Sequence, residues 1–111
     1  MNRKDTHVIM VLFEFTRETA PCAWSSEPGY NFTYLLTCQN QLDSLLEYYG
    51  YVTLQKACDV IGIHAPEEFK LLYGWSKSKG DAIISMHVDK NLKSKELDYY
   101  IAMFIRPIWD S

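Results

Sequence analysis

The stretch Tyr48–Trp75, YYGYVTLQKACDVIGIHAPEEFKLLYGW, constrains this chain more than any other. Gly50 supplies a left-handed stop, and Thr53 stands where a helix N-cap belongs. Leu54, Ala57, Cys58 and Ile61 then recur at helical spacing up to Gly62. Pro66 suits a first helical position. Glu67 and Glu68 follow in a first turn, where the helix dipole favours negative charge. Phe69, Leu72 and Tyr73 would face inward, Gly74 would end the helix, and Trp75 would anchor in the core. The pattern predicts two short helices, Leu54–Ile61 and Pro66–Tyr73, in a tight frame. Such an element either reads DNA or builds a small scaffold.

The flanks supply the rest of the domain. His7–Phe15, HVIMVLFEF, is β-branched and aromatic with apolar residues at nearly every position. It reads as a strand covered on both faces or paired centrally. Thr16–Tyr30 has no period and reads as a long loop holding Cys22 and Trp24. Phe32, Leu35, Leu36, Leu42, Leu45, Leu46 and Tyr49 place a core helix over Asn31–Tyr49, with Asn31 or Thr33 as its cap. Tyr51–Thr53 is a short extended link. Asp81–Asp89 alternates as a half-buried strand, Lys90–Asp98 is a charged loop, and Tyr99–Arg106 is again strand-like. The last two strands form a hairpin. The expectation is one α+β domain over residues 1–111, with three helices on a small antiparallel sheet in winged-helix-like order.

With 111 residues, 48% of them apolar, the chain can bury a core without staples. Three cysteines, at 22, 38 and 58, have no ligand spacing and read as reduced, buried thiols. That usage suits a cytoplasmic protein. The N-terminus shows no signal-peptide pattern, so Asn31-Phe32-Thr33 carries no weight as a glycosylation site. No apolar run approaches a membrane span.

Enzyme chemistry finds little footing. The histidines at 7, 64 and 87 are scattered, and the glycines stand alone, so no metal or phosphate site can be drawn. Cys58–Asp59 is a neighbour pair, but a nucleophile needs a base brought across space. No catalytic residue, metal or cofactor is expected.

Two binding readings compete. In a winged helix-turn-helix, Lys70 on the third helix and Lys90, Lys93 and Lys95 on the wing would meet DNA. Glu67 and Glu68 argue against it, because they would stand at the reading head. Residues 31–75 also carry a net −3, the wrong sign for phosphate. The other reading is a protein-binding module. Exposed aromatics are common interface anchors. Trp24 in the long loop, the cluster Tyr48, Tyr49 and Tyr51, and Trp109 are its candidates; Trp24 reads more readily as a buried pin for its loop. Glu67 and Glu68 would add acidity suited to a basic, nucleic-acid-binding partner. Spare tyrosines on a helix face would also suit a dimer.

The elements LDSLLEYYGYVTL, D-V-I-G at 59–62 and Y-G-W at 73–75 resemble a group of small phage and prophage proteins. The resemblance covers about a third of the chain, and its motifs are structural. The N-terminal strand and loop, the residues Cys58 and Val60, and a longer last linker depart from the pattern. The resemblance implies a mobile-element origin, action inside a bacterium and no enzymatic activity. Host-defence inhibitors of the anti-CRISPR type are among the small acidic phage proteins it brings to mind. The reading taken forward is a non-catalytic protein binder, with a winged-helix DNA binder as the alternative.

Overall fold

The structure, a computed structural model, describes residues 7–94 and 97–109. It contains strands β1 (Ile9–Phe15), β2 (Tyr51–Thr53), β3 (Tyr73–Ser76), β4 (Met86–Lys90) and β5 (Tyr99–Pro107). Two helices, α1 (Tyr30–Tyr49) and α2 (Leu54–Ile61), lie between them in sequence. All five strands form one antiparallel sheet.

The longest strand, β5, is its spine. On one side it pairs with β1, from Ile9↔Ile105 to Phe15↔Tyr99 without a slip. On the other side it pairs first with β4, from Lys90↔Tyr99 to Met86↔Met103. Farther along that side it meets β3, through Gly74↔Arg106 and Tyr73↔Pro107. β3 carries β2 on its far side, from Tyr51↔Ser76 to Thr53↔Gly74. Alternation on β5 sends Ile101, Met103 and Ile105 into the core. They join Leu35, Leu42 and Leu46 of α1, Leu54, Ala57 and Ile61 of α2, and the fully buried Trp75.

The capping signals around α2 act as the sequence predicts. Thr53 accepts a hydrogen bond from the Lys56 amide at 3.1 Å, and Gly50 and Gly62 close their helices in left-handed conformations. At the start of α1 the expectation fails. Gly29 occupies the N-cap without a side-chain bond. Asn31 instead turns inward, accepting from the Ser25 amide (2.9 Å) and donating to the carbonyls of Ser25 (2.8 Å) and Leu97 (2.9 Å). A buried amide with three partners is used to tie the long loop and the β4–β5 connection to the helix start.

The fold corrects the three-helix, winged-helix-like expectation: two helices, not three, pack on a five-stranded antiparallel sheet. Pro66–Leu72 makes turns, closed by Lys70 N–H to the Pro66 carbonyl (3.0 Å) and Tyr73 N–H to the Phe69 carbonyl (3.0 Å). The last three carbonyls before β3 are taken by other elements. Lys70 accepts from the Gln55 amide at 2.8 Å, satisfying a first-turn donor of α2. Leu71 accepts from the Trp109 indole (2.8 Å), and Leu72 from the Ile108 amide (3.1 Å). Gly74 then lies within a strand rather than ending a helix, and Leu72 is exposed rather than inward.

Position 74 needs glycine for space. A Cβ there would run into the Val52 carbonyl oxygen and come to 2.9 Å from the Thr53 Cα. β1 also departs from expectation. It is an edge strand with one covered face, and Met10 and Leu12 stand exposed on the other. Because Gly74 abuts backbone that cannot move aside, Gly74→Ala should lower the unfolding free energy by about 3 kcal/mol, read from the urea midpoint.

Candidate protein-binding surface

The end of α1 and the strand that follows it build the main aromatic surface. Tyr48 is 80% exposed and its ring meets Tyr49 edge-on, with centroids 4.7 Å apart. After the Gly50 stop, Tyr51 opens β2 and packs edge-on against Trp109 at 5.0 Å. Trp109 is 48% exposed, yet its indole N–H donates to the Leu71 carbonyl at 2.8 Å. Tyr49 and Tyr51 share a groove of about 310 Å³ with Leu45, Val52 and Lys56. Exposed Leu71 extends the surface beside the indole. The result is an apolar shelf whose outer rings are held by neighbours, with the Lys77–Glu47 ion pair (2.9 Å) at its margin.

The candidates read from sequence are divided by the structure. Tyr48 and Tyr51 stand on the shelf. Trp24 does not: it is buried in the core at 9% exposure, with the Arg17 guanidinium 4.5 Å above its ring. The indole therefore pins its loop and offers no surface to a partner, a correction to its reading as an anchor. Cys22, expected buried, is exposed in that loop. Glu67 and Glu68 are exposed in the turn after Pro66, and Glu67 holds Lys70 at 2.9 Å. Glu67 and Lys70 line a separate cleft of about 500 Å³ with Gln55, Asp59, His64, Ile63 and Cys22. Leu71 escaped the sequence reading because a helix over Pro66–Tyr73 leaves it as an unremarkable outer residue. Trp109 had its signal in residue type alone.

The basic residues of the DNA reading do not converge. Lys70 sits beside the N-terminal turn of α2, near the C-terminal end of α1. Lys90 pairs with Tyr99, whose ring packs on Phe32 at the opposite end of α1. The two ends of this 20-residue helix lie about 30 Å apart. Lys93 is exposed in the β4–β5 loop, and Lys95 lies outside the described residues. Among the described residues there is no third helix to enter a groove.

Among the described residues, no three His, Cys, Asp or Glu side chains stand close enough to hold a metal ion. Burial pushes the Cys58 thiol up to about 12, with the Asp59 charge adding to the effect, so it is a poor nucleophile at neutral pH. Burial also raises Cys38, partly offset by its contact with the Tyr34 hydroxyl. Tyr34 is itself raised to about 12, mainly by burial, while its hydroxyl donates to the Ile61 carbonyl at 2.9 Å. No described helix is long and apolar enough to cross a membrane. Comparison with protein-family models, with curated proteins and with solved structures gives no match.

Two outcomes follow from the thiols. In the native protein Cys22 should react rapidly with a disulfide reagent, whereas Cys38 and Cys58 should react only on unfolding, as counted by thiol titration with and without denaturant. The unfolded chain loses the Cys58 proton near 9 and the folded chain near 12. Stability is therefore intact below about 9 and declines as the pH rises from there toward 12. Melting temperatures across that window should fall less steeply for Cys58→Ala than for the parent protein.

Proposed function

We propose that this chain is a non-catalytic protein-binding module that docks its partner on the shelf of Tyr48, Tyr49, Tyr51, Leu71 and Trp109. One observation carries the reading: Trp109 is half exposed while its indole N–H and ring are both held. An exposed aromatic already fixed in place loses little conformational freedom on binding, which favours affinity. Tyr and Trp are also the residue types that dominate interface energetics.

Residues 31–75, which supply four of the five shelf residues, carry a net −3. That balance suits a basic partner, such as a protein that itself binds nucleic acid. The resemblance to small phage and prophage proteins supports a setting inside a bacterial cell. An inhibitor of a host-defence nuclease, of the anti-CRISPR type, is the concrete form of the proposal.

The test compares the parent protein with the triple variant Tyr48→Ala/Tyr51→Ala/Trp109→Ala in affinity purification from the encoding organism. A partner retained by the parent should be lost by the variant, and each single substitution at a true anchor should weaken binding by about thirty-fold. A Lys90→Glu/Lys93→Glu variant should bind that partner unchanged. Retention by the triple variant would sink the reading. So would a salt-sensitive DNA gel shift abolished by the two lysine substitutions.

A further inference from the structure

Among the described residues, three strands have a single neighbour in the sheet: β1, β2 and β4. β2 has three residues and runs directly into the capped start of α2, and β4 has five, ends in Asp89 and Lys90 and gives its Met86 carbonyl to the Gln39 amide at 3.4 Å. β1 has seven residues and pairs with β5 in unbroken register. It contains no Pro, Gly, Lys or Arg, and Glu14 is its one charged residue. It thus lacks the bulges, prolines and lysines by which many edge strands are kept from pairing. Its Leu12–Glu14 end lines an open cleft of about 460 Å³ with Glu18, Thr19, Ile63 and His64, so a second strand would enter beside that loop. Its outer face is apolar as well: Met10 is 54% and Leu12 57% exposed, with Val8 beside them. A regular, nearly uncharged edge of this kind is a template for another strand.

We propose that β1 pairs antiparallel with β1 of a second copy, about a two-fold axis at Val11, joining the two sheets into one. The proposal is independent of the aromatic shelf. The register follows from three constraints. Two-fold symmetry about an axis normal to the sheet makes the strands antiparallel and the contact self-complementary. Alternation requires outward residues to meet outward residues, since a one-residue slip would turn exposed side chains toward the core. The Glu14 carbonyl is already taken by the Thr19 hydroxyl at 2.6 Å, which closes the strand's C-terminal end. The stretch short of that bond, Ile9–Phe13, is centred on Val11. This register sets Met10 opposite Leu12 of the second copy, twice, and Ile9 opposite Phe13 twice. It sets each Glu14 opposite a Val8. The two Glu14 carboxylates end about 20 Å apart, beyond the screening length at physiological salt, so they do not oppose assembly. A second copy is the favoured occupant because its β1 brings apolar side chains to every apolar position and no like charge to Glu14.

Sedimentation equilibrium at sub-millimolar concentration should give twice the chain mass for the purified parent protein. Leu12→Lys places a charge on an exposed position that the fold tolerates but the pairing does not. It should give a monomer with an unchanged far-ultraviolet circular dichroism spectrum, its dimer weakened at least about tenfold. In a Cys22→Ser background, Met10→Cys/Leu12→Cys should form a disulfide-linked dimer on mild oxidation, and Met10→Cys alone should not. A monomeric parent protein would overturn the proposal, leaving β1 to a strand of another protein. A dimer that survives Leu12→Lys, or one that the double-cysteine variant fails to link, would overturn it equally.

Discussion

The two halves of the sheet meet at a residue that has no side chain. Gly74 pairs with Arg106 of the spine strand on one side and with Thr53 of β2 on the other. The Val52 carbonyl occupies the space where a Cβ would stand. That close approach brings β2 against β3, and β2 leads without a break into α2. It also places Trp75 at the centre of the core, fully buried beside both helices and the sheet. A larger residue at 74 would push β2 away, and with it the first turn of α2 and the aromatic residues at the end of α1. The atoms such a residue would meet, in Val52, Thr53 and Leu54, are all backbone, so none can rotate out of the way.

The segment that enters this joint is tied to the elements around it. Lys70 gives its carbonyl to α2, while Leu71 and Leu72 give theirs to the chain that follows β5. In a helix ending at Tyr73 these carbonyls would stand unpaired in the last turn, so the bonds fix where the chain runs, while a stretch of barely two turns is too short to hold a helix by itself. One of these bonds holds the Trp109 indole. The architecture and the candidate surface thus share a hydrogen bond: the turn that displaced a third helix is the support of the exposed Trp.

Local signals were legible where they were short-range. The Thr53 cap, the Gly50 and Gly62 stops and the bounds of α2 lie within a few residues of the atoms they satisfy. The Pro66–Tyr73 pattern misled because a proline start and two following acids suit a turn as well as a helix. The apolar run of β1 misled in another way. Apolar residues on both faces suggest burial on both, but burial is decided by what packs above, and the helices cover only one side. Trp24 and Trp109 are the same residue type in comparably irregular surroundings. One is buried under Arg17 and the other stands on the surface, and residue type alone could not separate them.

By itself, the sequence determined the two helices, three of the strands and the ends of α2. Each rests on periodicity or on a cap reaching three or four residues along the chain. Tertiary structure alone decided that β5 is the spine, that β3 exists, and that Asn31 is an internal clamp rather than a helix cap. It also decided which aromatics face outward. The physical reason is range. Backbone donors and acceptors choose partners from everything nearby in space, and a carbonyl such as that of Leu71 meets its indole 38 residues away.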